Sequence, residues 1–358
     1  MKIVFIGCRS LKLVGGIESY MLDLCSNLSK KGHNIVLYVG SDNDKTEELN
    51  GFQIKNIKVT KNKFLNKISI GFKSTIRALK EDSDSDIFHY NANIAGFFSF
   101  LPLLRGKKVV FQGHGFEWKR KKWNCLARFA CKLVDNFVLS INNNIFMCSE
   151  EQCDYVRKYY RNKNVFFTPG GVNYPPVMPE MDVYKDKKYI LFLGRIVAEK
   201  RVDLLLKAYS EVKAQIEEEL YIAGPVENEN IVKAFRNEER IHFLGPKMGN
   251  EKASLLKNAS VFVLPSDLEG LSVSVLEAMN YGNICLVSDI QANKEALGEA
   301  GLYFKAGNYE ELKQKLLMIC NSKDFSVEYR QLAVNRIKSN FDWTVLAERM
   351  LNYYKSLN

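Results

Sequence analysis

Short apolar runs, each followed by a loop and then by an amphipathic stretch, recur along almost the whole chain. In the first half they fall at 2–6, 35–39, 87–90, 109–112, 145–148 and 165–167. In the second half they fall at 189–193, 220–223, 241–244, 261–264 and 284–287. An unbroken apolar run is what a strand buried on both faces looks like, whereas the intervening stretches repeat their apolar residues at helical spacing. After the run at 2–6, for example, Ile17, Tyr20, Met21, Leu24 and Leu28 share one helical face, and Gly32 stops the pattern. Strand–helix alternation of this kind predicts parallel sheets wrapped by helices, an α/β fold.

At 358 residues the chain exceeds what one hydrophobic core normally serves. The stretch 174–188 carries Pro175, Pro176 and Pro179 among charges, with no apolar period, and reads as a linker. It divides a domain over 1–173 from a second over 189–342. Beyond them lies a helix over 343–358 whose Trp343, Leu346, Met350, Leu351 and Tyr354 form a docking face. Two doubly wound domains imply a central crevice between the carboxyl edges of their sheets, where ligands of such folds bind.

The apolar fraction of 46% describes a packed globular protein, and no run approaches the length of a spanning helix. The longest candidate, 94–104, is broken by Gly96, Ser99 and Pro102. The opening MKIVFIG lacks a signal-peptide layout and reads as a strand. Eight scattered cysteines with no C-x-x-C pair indicate neither a zinc cage nor a disulfide framework, which points to a reducing cytoplasm. A net charge of +10 implies an acidic partner: nucleic acid, anionic membrane or phosphorylated substrate. No zinc-finger or aromatic RNA-binding pattern accompanies the charge, so nucleic acid is set aside.

The segment VFVLPSDLEGLSVSVLEAMNYG, 261–282, carries the most specific chemistry. Pro265 and Ser266 end the strand, and a helical pattern resumes at Val273, Leu276 and Met279. Glu269 therefore sits on the loop at the strand's carboxyl end, and Glu277 sits in the first turns of the helix. The amides of Gly270, Leu271 and Ser272 lie between them, at a helix N-terminus suited to phosphate. Two acids flanking a phosphate site suit a nucleotide-sugar, which has hydroxyls on either side of a diphosphate.

Arg195 and Lys200 follow the strand at 189–193 directly after Gly194. A planar fork and a point charge on one strand–helix loop make a diphosphate clamp, though a solvated helix start has the same composition. Such cations would stabilise charge developing on a departing diphosphate, so no metal is expected. Gly15 and Gly16 precede the first helix and allow close approach of a phosphate or sugar; a plain tight turn is the ordinary reading. The G-x-G-x-x-G fingerprint of dinucleotide enzymes is absent.

His114, between Gly113 and Gly115, is expected to be exposed at the crevice as a ligand-facing ring, with Glu117 nearby. His33 reads as a turn residue and His242 as core, while His89 is placed along the crevice. Asp82, Asp84 and Asp86 alternate with serine and read as a solvated acidic turn at a strand's amino end. Two basic segments, WKRKKW at 118–123 and KFLNKISIGFKSTIRALK at 63–80, are candidates for an anionic membrane surface. An exposed helix start and a solvated face are the respective alternatives.

Together GGIESY, HGFEW, GGVN, FLGRIVAEKRVDLLLKAY, AGP, FLG and PSDLEGLSVSVLEAMNYG resemble the retaining GT-B-fold glycosyltransferases of family 4. The pieces span nearly the whole chain in the family's order. The first half, with HYNAN and HGFEWKRKKW, looks like the bacterial rhamnosyltransferase-type enzymes of surface polysaccharide biosynthesis. The resemblance implies two Rossmann-like domains facing a central crevice, with the C-terminal helix returning to the first. It implies a nucleotide-diphosphate sugar as donor substrate with no further cofactor, and a lipid-linked glycan as acceptor at the inner face of the cell membrane. Arg195 and Lys200 would hold the diphosphate with the amides after Gly270. Glu277 would bind the ribose, Glu269 the transferring sugar, Gly16 the diphosphate, and His114 the sugar near the reaction centre. Retention would proceed by front-face departure and attack, with the leaving phosphate taking the acceptor's proton. AGPVEN is shorter than the family's glycine-rich form, GGVN lacks the usual preceding Asn, and Asn283 replaces a common proline. An epimerase on the same architecture, or a non-catalytic nucleotide-binding protein, are the rival readings; the first would turn over donor without acceptor.

Overall fold

The computed structural model describes residues 1–11, 16–59, 63–119, 124–322 and 326–357. Its contacts divide the chain into two compact units: Met1–Gly170 together with Trp343–Asn358, and Gly171–Asp342.

In the first unit eight strands form one sheet: β1 (Lys2–Cys8), β2 (Asn34–Ser41), β3 (Thr46–Leu49), β4 (Phe52–Lys58), β5 (Ile87–Asn91), β6 (Val109–Gly113), β7 (Asn144–Met147) and β8 (Asn164–Phe167). Their order is β3-β4-β2-β1-β5-β6-β7-β8, parallel except for the β3–β4 hairpin. The hairpin turns at Asn50 and Gly51, with φ of 48° and 79°, the Asn-Gly pair that a two-residue turn favours. Neither hairpin strand shows as an apolar run in the sequence: TEEL is exposed, and FQIKNIK breaks its apolar residues with Gln53, Lys55 and Asn56. The sheet is buried on both faces. One face packs against the helices Gly16–Lys30 and Trp343–Ser356, through Leu24, Leu28, Met350 and Leu351. The other packs against Lys63–Glu81, Cys125–Ile141 and Glu150–Tyr159, through Ala78, Val138 and Val156.

The C-terminal helix is fastened by aromatic contacts. Trp343 meets Tyr20 edge-on at 5.3 Å, Tyr353 stacks on Phe166 at 4.4 Å, and the Tyr354 hydroxyl lies 2.6 Å from His89 Nδ1. His89 is therefore a core residue, stacked on Phe5, and does not line an edge; a mid-strand position with both faces covered buries it. Burial pushes its pKa down to about 3. Asp82 also departs from expectation. It is buried, accepting from Tyr38 Oη at 2.6 Å and Lys55 Nζ at 2.7 Å, with Lys2 Nζ at 3.2 Å. Burial opposes its charge, and these hydrogen bonds outweigh that cost, holding the carboxyl below its usual value. Asp84, by contrast, is exposed and pairs with Lys2. His33 lies in a turn, its Nδ1 3.2 Å from the N-terminal amine.

The second unit is built on β9 (Tyr189–Leu193), β10 (Glu219–Ala223), β11 (Ile241–Gly245), β12 (Val261–Leu264), β13 (Ile284–Ser288) and β14 (Leu302–Phe304), ordered β11-β10-β9-β12-β13-β14 and all parallel. Residues 174–188 are fastened to this unit: Asp182 accepts from Ser254 Oγ and Lys257 Nζ, each at 2.7 Å, and the Tyr281 hydroxyl donates to Val177 O. His242, expected in the core, is on edge strand β11, half-exposed and 3.1 Å from Glu219. Asn283 is fully buried, and its amide donates to Leu256 O at 2.6 Å and Ala278 O at 3.1 Å, which accounts for a polar residue where a proline is common.

In each sheet the chain reverses its direction of winding once, between β1 and β5 in the first and between β9 and β12 in the second. Loops at the carboxyl ends of such strand pairs diverge and leave room for a ligand.

Candidate active site

The second unit brings two of the expected residues into direct contact at its switch point. Lys200 ends a short 3-10 turn, Ala198–Lys200, after β9, and Glu269 lies on the loop after β12. Lys200 Nζ donates to Glu269 Oε1 at 2.5 Å, with both side chains largely buried. The loops are held together around this pair. Asp267 N–H donates to Glu199 O at 2.9 Å, and Arg201 Nη1 meets Asp267 Oδ2 at 3.1 Å. Arg201 is in the left-handed region, φ 49°, where the 3-10 turn gives way to the Val202–Val212 helix. Neither Arg201 nor Asp267 stood out in the sequence, because the pairing spans 66 positions.

Arg195 is half-exposed, and its Nη1 lies 3.2 and 3.4 Å from the two Glu227 carboxylate oxygens. Glu227 follows β10 in the AGPVEN segment, and a bridge between Ile196 and Val226 sets the two loops side by side. The glycine requirement here belongs to Gly224 more than to Gly194. A Cβ on Gly224 would stand 1.8 Å from Gly194 O, whereas one on Gly194 would make only ordinary contacts with Phe192 and Lys200. Gly194 thus serves as the wall against which Gly224 packs.

Glu277 lies in the Val273–Asn280 helix and meets Lys252 Nζ at 2.6 Å, both partly exposed. Lys252, from the Gly249–Asn258 helix, is a further residue that linear reading missed. Ser272 precedes the helix without capping it; its Oγ turns instead to Ser274 Oγ at 3.1 Å. The first-turn amides beyond Gly270 and Leu271 therefore receive no capping oxygen from Ser272. Behind the loop, Ser288 Oγ donates to Ser266 O at 2.5 Å, and the Asn293 amide donates to Ser288 at 3.0 Å, fixing the strand end. The cations Lys200, Arg195 and Lys252 each face a carboxylate, a set of pairs that an anionic ligand can exchange into.

The first unit carries its own polar cluster at the carboxyl ends of β1, β5 and β6. Gly7, φ 120°, lets β1 lie against β5, since a Cβ there would stand 2.2 Å from Asn91 O. Arg9 Nε donates to buried Glu18 at 2.7 Å, and this bond raises the guanidinium pKa further. A Cβ at Gly16 would meet nothing within 4 Å, so the helix start there is open. Gly15 falls outside the described residues.

His114 is placed by a directional chain of hydrogen bonds. Tyr20 Oη and Thr168 Oγ1 both donate to Gln112 Oε1, at 3.2 and 2.9 Å. That turns Gln112 Nε2 toward Cys148 Sγ at 3.4 Å, and Cys148 Sγ lies 3.3 Å from His114 Nδ1. His114 Nε2 is 3.1 Å from Asn91 Oδ1, an acceptor, so Nε2 carries the proton and Nδ1 accepts from the thiol. Burial lowers the ring's pKa to about 4. The ring is partly buried, packed edge-on against Tyr20 at 4.9 Å. It is a positioned neutral group with both nitrogens engaged, rather than the freely exposed imidazole that flanking glycines suggested.

The whole chain aligns with solved GT-B enzymes. Sucrose-phosphate synthase of Thermosynechococcus elongatus matches with a TM-score of 0.83 at 16% identity, covering 100% of this chain and 99% of that one. Anabaena Alr3699/HepE, solved in complex with UDP-glucose, matches with a TM-score of 0.78 at 14% identity, covering 100% of both. The fold is GT-B: two Rossmann-like α/β units with parallel sheets.

Residues 14–174 match the family model described as Glycosyltransferase Family 4, and residues 176–336 match that described as Glycosyl transferases group 1. An uncharacterized glycosyltransferase of Methanocaldococcus jannaschii is 30% identical over 71% of this chain and 69% of its own length. The O-antigen biosynthesis glycosyltransferase WbnH of Escherichia coli is 27% identical over 96% of each chain. The N,N'-diacetylbacillosaminyl-diphospho-undecaprenol alpha-1,3-N-acetylgalactosaminyltransferase of Campylobacter jejuni is 25% identical; the match spans 64% of this chain and 64% of that relative's length. The chain belongs to this glycosyltransferase family.

Proposed function

We propose that the chain transfers a hexosyl group from a nucleotide-diphosphate sugar to a lipid-linked glycan, with retention of configuration, in cell-surface polysaccharide biosynthesis at the cytoplasmic face of the membrane. The observation that carries this reading is the contact of Lys200 with Glu269 across the β9/β12 switch point. Lys200 and Arg195 take the diphosphate, exchanging their carboxylate partners for its oxygens, and the amides of Gly270 to Ser272 add donors at the helix start. Glu277 accepts from the ribose hydroxyls. Glu269, released by Lys200, accepts from a hydroxyl of the transferring sugar.

The chemical step breaks the bond between the anomeric carbon and the diphosphate oxygen. Lys200 and Arg195 stabilise the charge that gathers on that oxygen. The acceptor hydroxyl attacks from the side of the leaving diphosphate, which takes its proton, so no protein nucleophile or base is needed. A neutral His114 suits this scheme, since it contributes shape and a fixed ring edge to sugar binding in the first unit.

The complex of HepE with UDP-glucose supports a nucleotide-sugar donor, and the lipid-diphosphate substrate in the name of the Campylobacter relative supports a lipid-linked acceptor. The rhamnosyl type stays a proposal for the sugar itself: a D-rhamnosyltransferase of Pseudomonas aeruginosa is 26% identical over 81% of the chain. The test is nucleotide release from a panel of nucleotide-sugars with and without lipid-linked acceptor. Release that depends on acceptor, with an axial or equatorial product matching the donor's anomer, is expected. Donor turnover without acceptor points instead to an epimerase.

A further inference from the structure

Helices that wrap a sheet bury one face and turn a polar face to solvent. Two of the helices on one side of the first unit break that rule. On Lys63–Glu81 the inward side, with Ile70, Ala78 and Leu79, is buried in the core, while Leu65, Ile68, Phe72 and Ile76 point outward. Their exposure runs from 37% at Ile68 to 52% at Leu65. On Cys125–Ile141 the inward side holds Val138 and Leu139, while Leu126, Phe129, Leu133 and Phe137 point outward, exposed from 38% at Phe137 to 77% at Leu126.

Both outward sets follow one spacing, i, i+3, i+7 and i+11, which is a single helical stripe. The stripes are joined: Phe98 lies 5.6 Å from Phe72, Phe97 lies 4.9 Å from Phe137, and Phe97 and Phe98 touch edge-on at 5.4 Å. Each helix begins after the carboxyl end of its preceding strand, so both stripes start at the sheet edge that carries His114.

The charges beside the stripes have one sign. Lys73 and Lys80 on the first helix, and Arg128 and Lys132 on the second, are exposed. Among the described residues of the two helices, the carboxylates are Glu81, paired with Arg77 and Lys55, and Asp135, which is buried. Aromatic and aliphatic residues between long cationic side chains suit the plane of a bilayer, where the stems lie along lipid and the charged ends reach headgroups. A second copy of the chain would set two surfaces of like charge against each other.

We infer that these two helices form a docking surface for an anionic lipid bilayer, inserting the two apolar stripes and seating the first unit's sheet edge near the membrane plane. The inference deepens the proposed function and rests on it for the lipid-linked acceptor. In the neighbouring basic segment Lys119 pairs with Glu151 at 2.7 Å and Trp118 packs against Phe116 and Tyr155, while residues 120–123 lie outside those described.

The experiment is co-sedimentation with vesicles of phosphatidylglycerol and phosphatidylcholine, without donor or acceptor, on wild type and the Phe129→Glu/Leu133→Glu double variant. Both residues are exposed, so the variant keeps its fold, checked by circular dichroism and by nucleotide affinity equal to wild type. Wild type should bind the anionic vesicles and leave purely phosphatidylcholine vesicles largely unbound, and the double variant should bind about tenfold less. Failure of wild type to sediment, equal binding by the variant, or a wild-type dimer that the variant dissociates would each overturn the inference. Nucleotide affinity reports separately on the donor reading, so a wild type that binds nucleotide but does not sediment with anionic vesicles rejects the surface alone.

Discussion

Lys200 Nζ and Glu269 Oε1 lie 2.5 Å apart, although 69 positions separate them in the chain. The pair ties the loop after β9 to the loop after β12, and in the proposed reaction it opens to admit a diphosphate. Replacing Lys200 by Met removes the charge while keeping much of the stem. Steady-state kinetics should show kcat/KM lower by roughly hundredfold or more, the scale of losing one electrostatic group at a developing oxyanion. A change of only a few fold would remove Lys200 from the chemical step.

Glu277 faces Lys252 in the structure and the ribose in the proposed complex. Glu277→Ala should weaken nucleotide binding by roughly 1 to 3 kcal/mol, as expected for a lost hydrogen bond to a charged group. Titration calorimetry with the nucleoside diphosphate reads this directly. Unchanged affinity would refute the ribose assignment.

The chain from Gln112 through Cys148 to His114 and Asn91 fixes one tautomer. Nitrogen-resolved NMR at pH 7 should find His114 neutral with its proton on Nε2, and it should remain neutral down to about pH 4, where its lowered pKa lies. A ring already protonated at pH 6, or a proton on Nδ1, would contradict that arrangement.

Asp135 offers a stability test. Burial, with a smaller contribution from the charge of Glu117, raises its pKa to about 7, against the pull of the Asn93 amide. Between pH 4 and 7 the unfolded carboxyl releases its proton while the folded one keeps it, so this group's contribution to stability falls as pH rises through that window. Asp135→Asn removes the effect and keeps an acceptor for Asn93. Denaturant titrations should find the variant more stable than wild type by roughly 4 kcal/mol at pH 8, with the gap closing near pH 4. Parallel curves at both pH values would contradict the assignment.

Two side-chain cations hold the diphosphate in the proposed complex, which leaves a divalent ion no required role. Turnover after exhaustive chelation should stay within about twofold of the untreated enzyme. A collapse restored by added magnesium or manganese would overturn the two-cation clamp.

Much of the fold was legible because strands buried on both faces must be apolar throughout, as at Tyr189–Leu193 and Val261–Leu264. The exposed hairpin strand Thr46–Leu49 lacks that constraint, and only its Asn50-Gly51 turn marks it. For the candidate site, residue type and position after a strand single out Lys200 and Glu269, which the fold brings into contact, and Glu277, which it sets beside Lys252. Glu227, Lys252 and Asp267, which pair with Arg195, Glu277 and Arg201, are ordinary surface charges until the sheet order sets their segments side by side. His89 and Asp82 were misjudged for a related reason: a polar residue reads as exposed unless its partner is known. Tyr354, which satisfies His89, lies 265 positions away, and Lys55, which satisfies Asp82, lies 27 away.

The central claim is that Arg195 and Lys200 grip a diphosphate. Calorimetric titration of nucleoside diphosphate and monophosphate into wild type and into Arg195→Ala/Lys200→Ala tests it most directly. Wild type should prefer the diphosphate by at least about tenfold, and the double variant should lose that preference while still binding the monophosphate. Equal affinity of wild type for the two nucleotides, or a preference that survives in the double variant, would contradict the account.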